Sequence, residues 1–202
     1  MSEFSDVVRN RRMTRAFRTD PIAFSELEAI VDLAGRSPSA GKAQGWHLVV
    51  LEGEETARYW DITLPAAKRD GFRWQHLLDA PLLMVAFADP AAYVERYAEA
   101  DKARTGLGAG VDAWPTPYWT IDASMAVMTM LLAAEDRGLG ALFFGVFDNE
   151  VAVRAELRVP ERLELIGAIA MGHPRPDVGT GAGRSAGRRR RSASEIIHRS
   201  RW

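Results

Sequence analysis

PLLMVAFA, residues 81–88, is the stretch on which the fold turns. It carries no charge and no polar side chain, and it is far shorter than the roughly 20 residues that a helix needs to cross a bilayer. A strand covered on both faces reads this way, because neither side of its pleat has to meet water. Working outward, residues 46–51 (WHLVVL) predict another strand without a solvated face, and therefore one inside a sheet. Residues 141–146 and 163–171 predict two more. Between these strands the helical period takes over. Residues 2–12 place Phe4, Val7 and Val8 on one helical face. Ser25-Glu26-Leu27-Glu28 has the spacing of a capping box, and Leu27, Ile30, Val31 and Ala34 follow at helical intervals up to Gly35. Residues 54–61 and 91–100 read as helices. Residues 121–136 form the longest, rich in Ala, Met and Leu nearly all round, as a central helix is, and Gly138-Leu139-Gly140 ends it. Asp148 or Asn149 is placed to cap one more. Helices that flank and separate apolar strands make one α/β or α+β layered domain over residues 1–202.

The composition narrows the function classes. Hydrophobic residues make up 47% of the chain, enough for a sizeable core, and the formal net charge of -1 offers no global polycation to nucleic acid or membrane. Among the 26 Lys+Arg residues only Lys42, Lys68 and Lys102 are lysines, so each arginine has to be judged by its neighbours. The absence of cysteine removes disulfides, thiolate metal sites and cysteine nucleophiles. The first residues, MSEFSDVVRN, lack the apolar run of a signal peptide, so a cytoplasmic protein is expected. His47, His76, His173 and His198 are scattered without metal-ligand spacing, and no metal site is expected. No G-x-G-x-x-G follows a strand, and no serine lies in G-x-S-x-G.

Three segments carry polar chemistry. Arg11, Arg12 and Arg15 sit where a helix ends and the chain turns towards Phe17; guanidinium groups grip phosphate bidentately, and the same cluster also reads as a solvated basic face. Residues 37–46 (SPSAGKAQGW) combine small residues, which let backbone N–H groups approach a flat ligand, with Lys42 and Gln44 as donors; alternatively they form an ordinary turn. Arg188-Arg189-Arg190-Arg191 follows a low-complexity run, residues 179–187, that is expected to be mobile, and reads by default as part of a solvated C-terminal extension over 188–202. A Gly/Pro-rich loop, residues 105–117, carries Trp114, with Tyr118 and Trp119 beside it. This aromatic group either stacks on a flat ligand or covers core.

The order of these signals is more specific than any one of them. R-R-x-x-R-x-F from residue 11, P-S-x-x-x-x-Q-x-W from residue 38, a long Ala/Met helix ending in G-L-G, then G-V-F-D from residue 145, M-G-H-P from residue 171 and late arginines resemble the nitroreductase family of flavoproteins. The likeness spans roughly residues 4–199 and is least distinctive over 53–115. It implies an α+β fold with a mainly antiparallel sheet flanked by helices, and an intertwined homodimer with FMN in clefts at the subunit interface. It further implies that Arg11 and Arg12 hold the phosphate, with Met13 in the same segment, and that Arg15 reaches the pyrimidine edge of the flavin. Pro38, Ser39 and Ala40 are implied to line the ring from the second subunit, with Lys42 and Gln44 along its polar edge. Gly145 and Val146 present backbone near N5 and O4, and Arg189 and Arg191 return to the phosphate. Trp114, Tyr118 and Trp119 are the candidates for the acceptor pocket, because aromatic walls suit a flat nitroaromatic or quinone.

The implied activity passes a hydride from NADH or NADPH through flavin N5 to a nitroaromatic or quinone, and no side chain need serve as catalytic acid or base. Three departures from the family pattern stand out: Met13 where serine is usual, Lys42 where asparagine is usual, and Gly45 in place of proline. Lys42 either adds charge beside the flavin or points to solvent. The alternatives are a dehalogenating, flavin-fragmenting or deazaflavin-related enzyme on the same fold, a flavin-binding module without catalysis, and nucleic-acid binding through residues 188–191.

Overall fold

The computed structural model describes residues 3–146, 149–175, 177 and 187–202. Four strands, β1 (Trp46–Glu52), β2 (Leu82–Ala88), β3 (Gly140–Phe144) and β4 (Glu164–Gly172), form one antiparallel sheet in the order β1-β2-β4-β3. Every residue of β2 is buried. Its two-residue period divides two cores. Leu82, Met84 and Ala86 join Ile169 and Met171 on one face, while Leu83, Val85 and Phe87 join Ala168 and Ala170 on the other.

The first face is covered by α2 (Phe24–Ala34) and α6 (Tyr118–Asp136), which contributes Ala126, Val127, Met130 and Leu131. On the second face lie α3 (Thr56–Thr63), with Tyr59 and Trp60, and α7 (Glu150–Glu156), with Val153. The remaining helices are α1 (Phe4–Asn10), the single turn α4 (Ala66–Arg69) and α5 (Pro90–Ala98), which Asp89 caps by accepting the Ala91 N–H. Helix α6 stops at Gly138, whose φ of 71° lets Leu139 return its N–H to the Ala134 carbonyl.

Several sequence expectations need correction. Residues 46–51 do form a strand, but β1 lies at the edge of the sheet, not inside it. Trp46, Leu48 and Val50 are half-buried and, with Leu27 and Val31 of α2, line a hollow of about 890 Å³. Apolar content reports that a strand leans on core; it does not say whether both of its edges are hydrogen-bonded. The Ser25–Glu28 capping box does not form, because α2 begins at Phe24 with Ala23 at its N-cap and no side-chain cap. A capping box is present instead at Ser192 and Glu195, around the 3-10 turn Ala193–Glu195. The long helix starts at Tyr118, so Tyr118 and Trp119 belong to it and not to a loop. Asn149 is the N-cap residue of α7, but its amide donates to the Ile62 carbonyl at 2.9 Å instead of capping the helix. Asp148 and residues 179–186 of the low-complexity run lie outside the described residues.

The arginine-rich segment is held against the sheet by its backbone. Met13 forms a parallel bridge with Ala141, and the Thr14 N–H donates to the Ala141 carbonyl at 3.0 Å. Phe17 bridges Pro174, and Arg18 and Arg175 donate their N–H groups to His173 and Ala16. Gly140 makes this approach possible, since a Cβ there would sit 2.7 Å from the Thr14 side chain.

Burial has a consequence at high pH. It pushes the Tyr59 phenol from its ordinary value of 10.0 up to about 12, with Thr63 offsetting part of the effect. Below pH 10 the phenol is protonated in both folded and unfolded chains, and its contribution is constant. Above that the unfolded chain loses the proton first, so stability falls as pH rises towards 12, by about 2–3 kcal/mol in all. Chemical denaturation at about pH 9 and about pH 11 measures this, and Tyr59→Phe is expected to lose less stability between them than the native chain does.

Candidate functional site

A cavity of about 360 Å³ opens on the α3 side of the sheet. Arg15, Gly145 and Val146 line it, so three of the residues singled out in the sequence meet in one place. Its remaining wall is largely aromatic: Tyr59 and Trp60 from α3, Phe72 and Trp74 from the segment before β2, and Phe144 at the end of β3. Trp60 and Phe144 lie parallel, 1° apart with centroids 5.9 Å apart, and Tyr59 meets Trp60 edge-on at 5.1 Å. Phe72 packs edge-on against Trp74 at 5.8 Å. The indole Nε1 atoms of Trp60 and Trp74 are buried without a hydrogen-bond partner. This slot suits a flat ligand, with apolar faces and few polar contacts.

Arg15 enters the cavity as a cation fixed on two sides. Its Nη1 donates to the Met13 carbonyl at 3.0 Å, and its guanidinium stands 5.3 Å from the centroid of the Trp74 ring. Arg73 faces the same ring at 5.7 Å. Burial, and then the Arg73 charge, lower the Arg15 pKa from its ordinary 12.5, but a guanidinium stays charged at neutral pH. Positive charge in an apolar slot favours a ligand edge that carries or gains negative charge.

The other two arginines of the segment differ sharply. Arg12 is exposed, and its Nη1 donates to the carbonyls of Arg9 and Arg11. Arg11 is half-buried, and its Nη1 is buried with no partner. An unpaired, desolvated guanidinium nitrogen is costly, and an anionic oxygen is the partner that relieves it best. The residues present therefore fit a phosphate-bearing flavin such as FMN.

The loop over residues 37–46 stands apart from this cavity, on α5 and α6. Gly41, Lys42 and Gln44 have φ of 60°, 59° and 51°. Asparagine tolerates that left-handed region well and lysine does not, which gives the Lys42 departure a physical cost. Lys42 and Gln44 are exposed, as is Pro38; Ser39 and Ala40 are half-buried. Ser39 Oγ accepts the Gln44 N–H at 2.9 Å, and the Ala40 N–H donates to Asp122 at 2.8 Å.

Trp114 and Trp119 are buried in a separate cluster with Tyr93, and their indole N–H groups donate to the Leu107 carbonyl and to Glu164. Tyr118 is 43% exposed. Arg189 and Arg191 are exposed and bound within the C-terminal segment itself: Arg189 pairs with Glu195 at 2.6 Å, and Arg191 donates to the Glu195 carbonyl. That pairing, with the Ser192 hydrogen bonds, pulls the Glu195 carboxyl down to about 2. Sequence reasoning missed Tyr59, Trp60, Phe72 and Trp74. The available signal was the density of aromatic residues over 59–74, where no regular period organises them. Among the described residues no group of three or more His, Asp or Glu is placed to hold a metal ion, and no helix is long and apolar enough to cross a membrane.

Known proteins share this outline. The model of the nitroreductase family matches residues 8–173. An NADH dehydrogenase of Thermus thermophilus is 29% identical over 81% of this chain and 83% of its own length. A 5,6-dimethylbenzimidazole synthase of Rhodospirillum rubrum is also 29% identical, over 83% of this chain and 80% of its own length. Among solved structures, one from Desulfovibrio desulfuricans in complex with FMN aligns with a TM-score of 0.67 at 23% identity, covering 98% of this chain and 96% of its own; at that identity it speaks for the fold.

Proposed function

The chain belongs to the nitroreductase family, and on that premise we propose that it is an FMN-dependent oxidoreductase. It takes electrons from NADH or NADPH and passes them to a flat oxidised acceptor such as a nitroaromatic or a quinone. The observation that carries this reading is the aromatic cavity that Arg15, Gly145 and Val146 line together. FMN, when bound, supplies a two-electron redox centre. Arg11 and Arg12 hold its phosphate, and Arg189 and Arg191 join them. Arg15 stabilises negative charge on the pyrimidine edge, while Gly145 and Val146 offer backbone contacts to the ring. Tyr59, Trp60, Phe72 and Trp74 exclude water and give flat molecules a surface on which to stack.

The working unit is a homodimer in which Pro38, Ser39, Ala40, Lys42 and Gln44 reach the cofactor of the opposite subunit. Exposed Tyr118, backed by Trp114 and Trp119, then faces the acceptor across the interface. A cytoplasmic location suits a chain without cysteine.

The test is anaerobic mixing of the FMN-loaded protein with NADH or NADPH, followed by a quinone. Bleaching of the flavin and its return on adding quinone are expected; a flavin that neither nucleotide bleaches leaves a binding module and removes the enzyme. The Rhodospirillum relative, named as a 5,6-dimethylbenzimidazole synthase and not as a reductase, keeps one second reading open, the flavin-fragmenting enzyme on the same fold. Repeated cycles in air separate the two, since FMN is recovered intact by a reductase and consumed by an enzyme that breaks it. Removing the Arg15 charge gives a further prediction. In Arg15→Gln the midpoint potential of the bound flavin is expected to fall by tens of millivolts, about 30 mV for each 1.4 kcal/mol of lost stabilisation. Equilibration with a reference dye measures it.

A further inference from the structure

Helix α6 is apolar almost all round, so an aspartate within it at 3% exposure needs a reason. A buried carboxylate is tolerated only where donors replace its water. Asp122 has two, and both reach the same oxygen: the Ala40 N–H and the Tyr93 hydroxyl donate to Oδ2 at 2.8 Å each. One donor comes from the loop and the other from α5.

That loop holds its shape only in part by its own bonds, such as the Gln44 N–H to Ser39 Oγ and the Lys42 N–H to the Ser39 carbonyl. Its regular part is the 3-10 turn Ala40–Lys42, and Gly41, Lys42 and Gln44 all occupy the left-handed region. Such a conformation persists only where the surroundings over-determine it. Helix α5 supplies part of the restraint, since Arg96 Nε donates to the Gly41 carbonyl at 2.8 Å and is itself held by Asp101. The loop lies so close to α5 that a Cβ on Gly41 would meet the Tyr97 ring at 2.8 Å, and one on Gly45 would meet Tyr93 at 2.8 Å. Helix α6 restrains the start of the turn, through Asp122 at the Ala40 N–H and, just before it, through Thr129 at the Ser37 hydroxyl.

We propose that Asp122 is a positioning residue that sets the Ser39–Gln44 loop in its left-handed form and so presents Lys42 and Gln44 to the FMN of the opposite subunit. This rests on the function proposed above. Because both bonds end on one oxygen, Asp122→Asn keeps an acceptor for each donor, whereas Asp122→Ala keeps none. Tyr93→Phe removes the α5 donor and leaves the loop donor in place.

The experiment pairs amide hydrogen exchange on the full-length apoprotein with FMN titration. For Asp122→Asn and Tyr93→Phe, exchange over residues 40–44 and the FMN Kd are expected to stay within about twofold of the native protein. For Asp122→Ala, exchange there is expected to accelerate and the FMN Kd to rise by about tenfold or more, the scale of removing one hydrogen bond to a charged group. Should that variant fail to fold, Ala40→Pro deletes the donor with Asp122 in place and is read in the same way. A folded Asp122→Ala with unchanged exchange overturns the proposal, and so does a mobile loop with native FMN affinity. A native protein that binds no FMN sinks the function proposed above instead, while the exchange arm still decides whether Asp122 holds the loop.

Discussion

Arg11→Ala is expected to weaken FMN binding by about a hundredfold, the scale of removing one buried charge-assisted hydrogen bond to a phosphate. The same substitution should leave the apoprotein as stable as before or slightly more so. Arg11 Nη1 is buried without a partner, so truncation removes an uncompensated desolvation cost and breaks no hydrogen bond of that nitrogen. Opposite signs in the two measurements separate a ligand-binding arginine from a structural one, which would lose stability in the apoprotein. Arg12→Ala is expected to cost less, because Arg12 is exposed and already bonded to backbone carbonyls. Flavin fluorescence quenching on titration gives the affinities, and thermal unfolding of the apoprotein gives the sign of the stability change.

Gly167→Ala is expected to produce the largest loss of stability, about 3–5 kcal/mol from backbone strain and overpacking together. Gly167 has φ of 152°, beside the register shift at Ala86 and Phe87 where β2 meets β4. A Cβ there would lie 2.6 Å from the Phe143 ring and 2.8 Å from the Phe144 carbonyl, a backbone atom. Relief has to come from moving Phe143 and Phe144, and Phe144 stacks on Trp60 and leads directly into Gly145. Flavin affinity should therefore fall together with the unfolding temperature. Gly71→Ala is the matched control, since a Cβ at Gly71 meets nothing within 4 Å. Denaturant midpoints of the two variants decide the matter: equal midpoints would contradict the claim that Gly167 is required by close packing at the site.

The layered fold was legible wherever the burial of a segment is a local property of its residues. PLLMVAFA reads as a doubly covered strand because every position must avoid water, and β2 is buried throughout. The long Ala/Met helix and its glycine stop were readable for the same reason. WHLVVL misled on its neighbours, since an apolar edge strand and an apolar inner strand have the same composition. Ser25 misled because a capping box is only a spacing, and the N-cap falls two residues earlier, at Ala23, so the helix begins at Phe24.

Part of the cavity lining was singled out in the sequence, and most of its aromatic wall was not. Arg15, Gly145 and Val146, singled out in the sequence, line one cavity. Trp60, Phe72 and Trp74 went unread because they converge from a short helix and an irregular segment, and only the folded chain brings them together. Asp122 was hidden for a related reason. Within a largely apolar helix it is one of several polar letters, and its meaning lies in Ala40, 82 positions away in sequence.

The most direct test of FMN dependence is the absorbance spectrum of the purified protein, before and after dialysis against added FMN. Bands at about 370 and about 450 nm, those of a flavin, that stay with the protein in Arg12→Ala and are lost in Arg11→Ala are the expected result. A native protein that is colourless as purified and retains no FMN after dialysis would contradict it.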